Sequence, residues 1–154
     1  MGARAYAAAH AAEADSIQAV LVLDNGTGAI VGQALQGRAD LEETWRTLLA
    51  PVAHLGADSL RHAIKSGTDH LAFTFYGVPA FNFDQLPRGY GHTHHSQSDT
   101  FDKAVEEDLT QASAVMAVTG WELANMAALL PRGPKPGPER IITRPSAGVA
   151  AGGR

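Results

Sequence analysis

Histidines cluster in one short polar stretch, residues 91–100, whose side chains have the chemistry of a metal site. His92, His94 and His95 lie within four positions, and Asp99 follows four residues after the last of them. Imidazole nitrogen is a good ligand for zinc, and a nearby carboxylate can orient a metal-bound histidine. The same composition also suits a solvated polar loop, so this stretch alone leaves both interpretations open.

A second candidate ligand, Asp24, follows an apolar and β-prone run at residues 17–23. This pattern predicts a buried strand that ends in the turn sequence Asp-Asn-Gly-Thr-Gly. Open α/β sheets place ligand-binding groups at the carboxyl ends of their strands, which is the position of Asp24. An aspartate in a turn also bonds its own backbone, and the local sequence by itself favours that structural role.

Composition excludes several classes of protein. The chain has 154 residues, 45% of them hydrophobic and 18% charged, which is enough for one domain with a core. A net charge of −4 gives no indication of binding to nucleic acid or to an anionic membrane. Without cysteine there are no disulfides and no thiolate chemistry. No apolar run reaches the roughly 18 residues of a membrane span. The start of the chain has no signal-peptide core, so the chain as written is expected in the cytosol.

Helix and strand patterns follow one another along the chain and predict an α/β fold. A helix is expected over residues 41–55, with capping-box spacing of Asp40 and Glu43, a kink or break at Pro51 and Gly56 at its C-cap. A long helix is expected over residues 106–129. The other expected segments are an Ala-rich helix at 3–14, a strand at 29–35 paired as a hairpin with the first, a weak strand at 59–64, a polar turn at 66–70, a turn and short buried strand at 77–83, a loop at 84–91 and a disordered tail at 132–154.

Five pieces of sequence, in order, carry a resemblance to a known family. Together they resemble the C-terminal half of the zinc-dependent exopeptidases of peptidase family M28, which include plasma glutamate carboxypeptidase and bacterial leucine aminopeptidases. The resemblance extends over residues 2–131, and the ordered set is specific although no single piece is. The pieces are Gly-Ala-Arg-Ala-Tyr at 2–6, Leu-Val-Leu-Asp-Asn-Gly-Thr-Gly at 21–28, Gly-Thr-Asp-His-Leu-Ala-Phe at 67–73, Gly-Val-Pro-Ala at 77–80 and His-His-Ser-Gln-Ser-Asp-Thr at 94–100.

The resemblance implies a mixed central sheet flanked by helices and a two-zinc site that hydrolyses peptides with metal-activated water. It makes Asp24 a ligand of one zinc and His95 a ligand of the other, and it places His94 where it could contact the substrate carbonyl. Asp69 and Asp99 match family positions that support the ligands without binding metal. Two zinc–ligand bonds of about 2 Å and a zinc–zinc separation of roughly 3.5–4 Å then allow at most about 8 Å between the ligand atoms of Asp24 and His95.

Part of the family pattern lies outside this chain. In the family, a bridging aspartate and an adjacent Glu-Glu pair, which supplies the general base, precede the position that residues 2–6 match. The Glu-Glu pairs at 42–43 and 106–107 fall at predicted helix starts instead. We therefore expect an incomplete zinc site, no catalytic residue of its own, and a sheet that lacks its first strands and leaves an edge exposed.

Three interpretations follow from these observations. The chain is the C-terminal part of a metallopeptidase, inactive alone or completed by an N-terminal portion. Alternatively it is a non-catalytic binding module, for which a homodimer would cover the exposed sheet edge. A third interpretation is a mononuclear metal site built from His70, His92, His94 and His95, although adjacent histidines rarely point at one ion.

Overall fold

A four-stranded mixed sheet forms the centre of the protein, and helices pack against it. The computed structural model describes residues 2–135. Strand β4 pairs in parallel with β1 and antiparallel with β2, and β2 pairs in parallel with β3, which gives the order β1-β4-β2-β3. This architecture confirms the predicted fold class. The strands are β1 (Val20–Val22), β2 (Ile30–Ala34), β3 (Ser59–Arg61) and β4 (Ala80–Gln85).

Five α-helices and four 3₁₀ helices connect and cover the strands in the described part of the chain. The α-helices are α1 (Gly2–Ala9), α2 (Glu42–Leu49), α3 (His70–Thr74), α4 (Tyr90–Thr93) and α5 (Glu106–Ala124). The 3₁₀ helices are Ala11–Ser16, Ala39–Leu41, Ala50–Leu55 and Phe101–Lys103. No helix of residues 2–135 is both long and apolar enough to cross a membrane.

The predicted hairpin between the first two strands is wrong. β4 lies between β1 and β2, so the Gly-rich turn after β1 connects strands that are not neighbours. Strand β4 lies inside the sheet, and five of its six residues are buried. By contrast, every residue of β1 is half-buried at an edge of the sheet. The expectation of a buried first strand is therefore also wrong, and β1 forms one edge of the described sheet.

The predicted helix over residues 41–55 is divided into two segments. Helix α2 ends at Leu49, and Pro51 stands in the first turn of the 3₁₀ helix that follows, which confirms the expected break. Gly56 ends that segment with a φ of 76°, the left-handed conformation that glycine adopts at little cost. The capping box is absent, because the Asp40 carboxylate instead accepts hydrogen bonds from Arg38.

Several element boundaries also differ from the predictions. The Ala-rich helix gives way to a 3₁₀ helix after Ala9, β4 continues to Gln85 into the predicted loop, and α5 ends at Ala124. Residues 132–135 of the predicted tail lie against the domain, where Arg132 donates to the Ile17 carbonyl at 2.5 Å and Lys135 pairs with Asp15. The rest of that tail, residues 136–154, is outside the described residues.

The core lies between the sheet and helices α2 and α5. Trp45 of α2 packs edge-on against Phe81 and Phe83 of β4, with ring centroids 4.9 and 6.0 Å apart. Such pairs add about 0.5–1.5 kcal/mol to the free energy gained from burial alone. Fixing β4 in this way matters for the site, because the polar side chains of the same strand hold the turn that carries Asp24.

Candidate functional site

A cleft of about 780 Å³ opens at the carboxyl ends of the parallel strands β1 and β4. This is the edge at which α/β sheets bind ligands. Three segments form its walls: the turn after β1, the loop before α3, and helix α4 with the residues that follow it. The lining residues are Leu23, Asp24, Asn25, Gly26, Thr27, Ser66, Gly67, Thr68, Tyr90, Thr93, His94, His95 and Asp99.

The turn that carries Asp24 is held by amide side chains of β4. The Gln85 amide accepts from the Asn25 backbone N–H at 2.9 Å and donates to the carbonyls of Gly26 and Gly28 at 3.0 and 2.9 Å. Asn82, which is completely buried, donates to the Asn25 side chain at 3.1 Å. The turn is therefore fixed through long-range bonds to a core strand.

Gly28 brings this turn into direct contact with the chain after β4. A Cβ atom at this position would lie 1.8 Å from the Leu86 carbonyl oxygen. The close approach accompanies a backbone hydrogen bond from the Leu86 N–H to the Ala29 carbonyl, at 2.9 Å. Only glycine fits there, so the Gly-rich sequence is needed for packing rather than for a hairpin.

The histidine wall is held mainly by local contacts. The His94 ring stacks on the His95 ring, with centroids 4.0 Å apart, and packs against the Tyr90 ring at an angle of 40°, with centroids 4.8 Å apart. The Ser96 and Ser98 hydroxyls both donate to the His92 carbonyl, at 2.8 and 2.6 Å. His95 has a φ of 53°, a left-handed conformation that costs a residue other than glycine about 1–2 kcal/mol. Strain of this kind is concentrated at functional sites.

Two longer contacts join the histidine wall to the rest of the protein. The Tyr90 ring covers Gly26, whose added Cβ would lie 3.0 Å from its Cδ2 atom. Arg88, ahead of α4, pairs with Asp108 of α5 at 2.5 Å. The Arg88 guanidinium holds the pKa of the Asp108 carboxyl below its usual range, so the pair is ionised at neutral pH.

The third wall, residues 66–68, follows Lys65, which belongs to a polar cluster with residues of β3 and β4. The buried Asp84 carboxylate accepts from Arg61 at 2.7 Å and lies 3.3 Å from the Lys65 ammonium. Burial by itself would raise the pKa of Asp84, but the two cations hold it below its usual value. Lys65 therefore stays anchored next to the first cleft-lining residue of this wall, Ser66.

Four of the five predicted site residues line the cleft together. Asp24 comes from the turn after β1, and His94, His95 and Asp99 come from the histidine wall. Asp69 is exposed and lines a neighbouring groove instead. The ligand roles of these residues remain predictions.

The mononuclear interpretation does not agree with the structure. His70 is completely buried, and its Nδ1 and Nε2 atoms lie 2.9 and 2.5 Å from Thr68 Oγ1 and Gln36 Nε2. Both ring nitrogens are therefore engaged by protein groups, and His70 cannot join the histidines at 92–95 around one ion.

The described residues do not bring enough donors together for a complete zinc site. A zinc ion in a catalytic site takes three protein ligands and a water, but residues 2–135 contain no group of three or more histidine, aspartate or glutamate side chains that could hold an ion. Asp24 and His95 have suitable donor atoms and reach one cleft. They fit part of a site and not the whole of it.

Sequence reasoning missed the amides that support the cleft, Asn82, Gln85 and Gln36. Their partners are largely backbone groups far away in sequence, so no local spacing identifies them. One sign was present in β4, where Phe81, Asn82, Phe83 and Asp84 alternate apolar and polar types. Such alternation normally gives one solvated face, but both faces of β4 are buried.

Comparison with known proteins decides the family. The family model for peptidase family M28 matches residues 1–119. The chain belongs to peptidase family M28. Its fold is therefore that of a family of hydrolases, the M28 metallopeptidases, as the sequence resemblance predicted.

A solved structure agrees with this M28 assignment. The crystal structure of a peptidase M28 precursor from Shewanella amazonensis SB2B, at 1.70 Å resolution, is similar to this chain with a TM-score of 0.76 and 28% sequence identity. The match covers 87% of this chain but 30% of that chain. A search of curated proteins finds no match.

Proposed function

We propose that this M28 chain contributes part of a two-zinc exopeptidase centre, with Asp24 a ligand of one zinc and His95 a ligand of the other. Bound zinc would supply a water that is acidic enough to attack a peptide bond at neutral pH. On this proposal His94 contacts the substrate carbonyl, and Asp99 and Asp69 support the ligands. The substrate is a peptide cleaved at one of its ends.

The meeting of Asp24 and His95 in one cleft carries the proposal. The two residues are 71 positions apart in sequence, yet the carboxyl ends of β1 and β4 bring their segments to a common cavity. The cleft also has the right chemistry, because its ionisable lining consists of carboxylates, imidazoles and one phenol in the described part of the chain. Carboxylate and imidazole are two of the three usual protein ligands of zinc.

The chain of residues 1–154 is expected to be inactive alone. None of the described cleft-lining residues is a glutamate, and a general base must lie within hydrogen-bond reach of the water that it activates. With one protein ligand per metal, zinc should bind weakly and hydrolysis should not follow. A complementing N-terminal portion would supply the missing ligands and the base.

A zinc titration of the chain, followed by two-dimensional NMR, tests the proposal. Zinc should shift the resonances of residues 24–27 and 93–99 together, with millimolar affinity. Asp24→Asn and His95→Gln should each weaken that binding by about tenfold or more, since loss of even a supporting group costs a metal site 10–100-fold. His54→Gln is the matched control, because His54 is an exposed histidine outside the cleft.

Two outcomes would contradict the proposal. Zinc that shifts the histidine wall but not the Asp24 turn would mean that the two residues do not share a metal centre. No cleft binding even at millimolar zinc would favour the non-catalytic binding module. Hydrolysis assays add a separate result: with zinc present, the chain should cleave neither an aminoacyl 4-nitroanilide nor an N-acyl dipeptide.

A further inference from the structure

A closed ring of hydrogen bonds holds the cleft wall formed by residues 66–68. The Gln36 side chain accepts from the Lys65 backbone N–H at 2.5 Å and donates to the Lys65 carbonyl at 3.0 Å. Its Nε2 atom also lies 2.5 Å from Nε2 of His70, and Nδ1 of His70 lies 2.9 Å from Thr68 Oγ1. The ring therefore begins and ends on the two residues that enclose Ser66 and Gly67.

The ring assigns the protonation state of His70. The Gln36 amide oxygen is already occupied by the Lys65 N–H, so the amide nitrogen faces the imidazole and donates to Nε2. The imidazole proton must then be on Nδ1, where it is donated to the Thr68 hydroxyl. His70 is completely buried, and a neutral ring satisfies both contacts without an unpaired charge.

We propose that His70 and Gln36 are positioning residues, which fix Thr68 and thereby the third wall of the cleft. Neither side chain is among the cleft-lining residues, and both act through Lys65 and Thr68. The proposal rests on the proposed function only in treating this cleft as the working site. Beyond that, a buried neutral imidazole sets the conformation of residues 66–68.

A proton added to His70 would break the ring. It would occupy Nε2 and point at the Gln36 N–H, so that two donors would face each other across 2.5 Å. Burial lowers the pKa of His70, the Lys65 carbonyl acts in the opposite direction, and the Lys65 cation lowers it further.

Other charged groups surround this part of the fold. Asp84 and Arg61 lie behind Lys65, Asp69 adjoins His70 in sequence, and Arg4 of α1 lines the groove that Thr68 and Asp69 share. Wall opening should therefore appear as the pH falls below the ordinary histidine value of about 6.5.

Nitrogen NMR of the imidazoles, with amide hydrogen exchange on the same samples, tests the proposal in the full chain. At pH 8 the His70 ring should show the neutral form protonated at Nδ1. Thr68→Val removes the hydroxyl and should speed exchange of the Lys65 amide, which donates to Gln36, by about tenfold, as expected for loss of one hydrogen bond in the ring. Thr68→Ser keeps the hydroxyl and should exchange like the native chain.

Gln36→Glu gives the sharpest test, because a carboxylate can only accept. It should favour the imidazolium form and raise the pKa of His70 above the native value, and by more than Gln36→Met, which removes the facing N–H but supplies no negative charge. Exchange at the β4 amides serves as the internal reference for folding. If a variant also changes amide exchange in β4, its fold is perturbed and its result is not used. The tautomer of His70 in the native chain then tests the proposal.

The proposal is overturned if native His70 is protonated at Nε2, or if Thr68→Val leaves exchange of the Lys65 amide unchanged while β4 is unaffected. The NMR and amide-exchange measurements are made without zinc. Failure of the native chain to bind zinc in the cleft would count against the proposed function and leave this result standing.

Discussion

The turn that carries Asp24 and the wall that carries His95 face the same cleft but are held in different ways. Amides of the central strand fix the Asp24 turn, through bonds that Gln85 and Asn82 make across more than fifty residues of sequence. The His95 wall depends on serine hydroxyls four and six residues from the His92 carbonyl that they bind, on ring stacking and on the Arg88–Asp108 ion pair.

The difference separates a preorganised half of the site from an adaptable half. A metal site requires its ligands to be held within about 0.5 Å of the productive geometry. Hydrogen bonds to the core strand β4 hold the Asp24 turn in place, whereas His95 has a strained φ of 53° and lies among exposed residues. We infer that a metal or a further segment of chain would order the histidine wall more than the turn.

Substitution of the two glycines that belong to these walls should produce the largest contrast. Gly28→Ala should destabilise the protein by about 3 kcal/mol, because its Cβ would collide with the Leu86 carbonyl, which is backbone and cannot move aside easily. Gly91→Ala is the control in α4, where nothing lies within 4 Å of an added Cβ, and it should change stability by no more than about 1 kcal/mol. Urea unfolding followed by circular dichroism measures both, and equal losses would contradict the comparison.

Loss of the Gln85 amide should have the next largest effect. Gln85→Met keeps the length of the side chain but leaves three backbone groups of residues 25–28 without their partner. We expect a loss of about 2 kcal/mol in the free energy of unfolding, with faster amide exchange confined to the turn. Unchanged exchange at Asn25 would show that β4 does not hold it.

Removal of a serine hydroxyl from the histidine wall should cost less. Ser96→Ala breaks exposed bonds to the carbonyls of His92 and Thr93, which water can replace, so we expect about 0.5–1 kcal/mol. The same urea titration gives the value. A loss as large as that of Gln85→Met would mean that the two walls are equally well anchored.

The Arg88–Asp108 pair should give the smallest effect and one that depends on pH. Arg88 lowers the pKa of Asp108 below its ordinary value of 3.8, so the pair contributes stability above that pH and loses it as the pH falls through the lowered pKa. The melting temperature of Arg88→Gln should therefore lie slightly below the native value at pH 7. The difference should shrink in high salt and below about pH 4, and a difference that persists at pH 2 would rule out the ionic origin.

The sequence alone predicted residues that line the cleft better than it predicted the side chains that hold the cleft walls. Asp24, His94, His95 and Asp99 line one cleft, and a strand end and a histidine cluster mark them as candidates in the sequence, but their roles come from the family resemblance and stay predictions. The sequence alone did not predict the strand order, since the placement of β4 between β1 and β2 depends on which strand buries both of its faces. The supporting amides were invisible for a similar reason: Gln85 and Gln36 bind backbone groups 29–60 residues away.

Anomalous diffraction at the zinc edge, from crystals of the chain soaked in millimolar zinc, tests the central claim most directly. We expect two zinc ions in the cleft roughly 3.5–4 Å apart, one about 2 Å from an Asp24 carboxylate oxygen and the other about 2 Å from a His95 ring nitrogen. Zinc found at His54 or His92 while the cleft holds none would contradict it. A distance much greater than about 8 Å between the ligand atoms of Asp24 and His95 would also contradict the claim, because no pair of zinc ions could then join them.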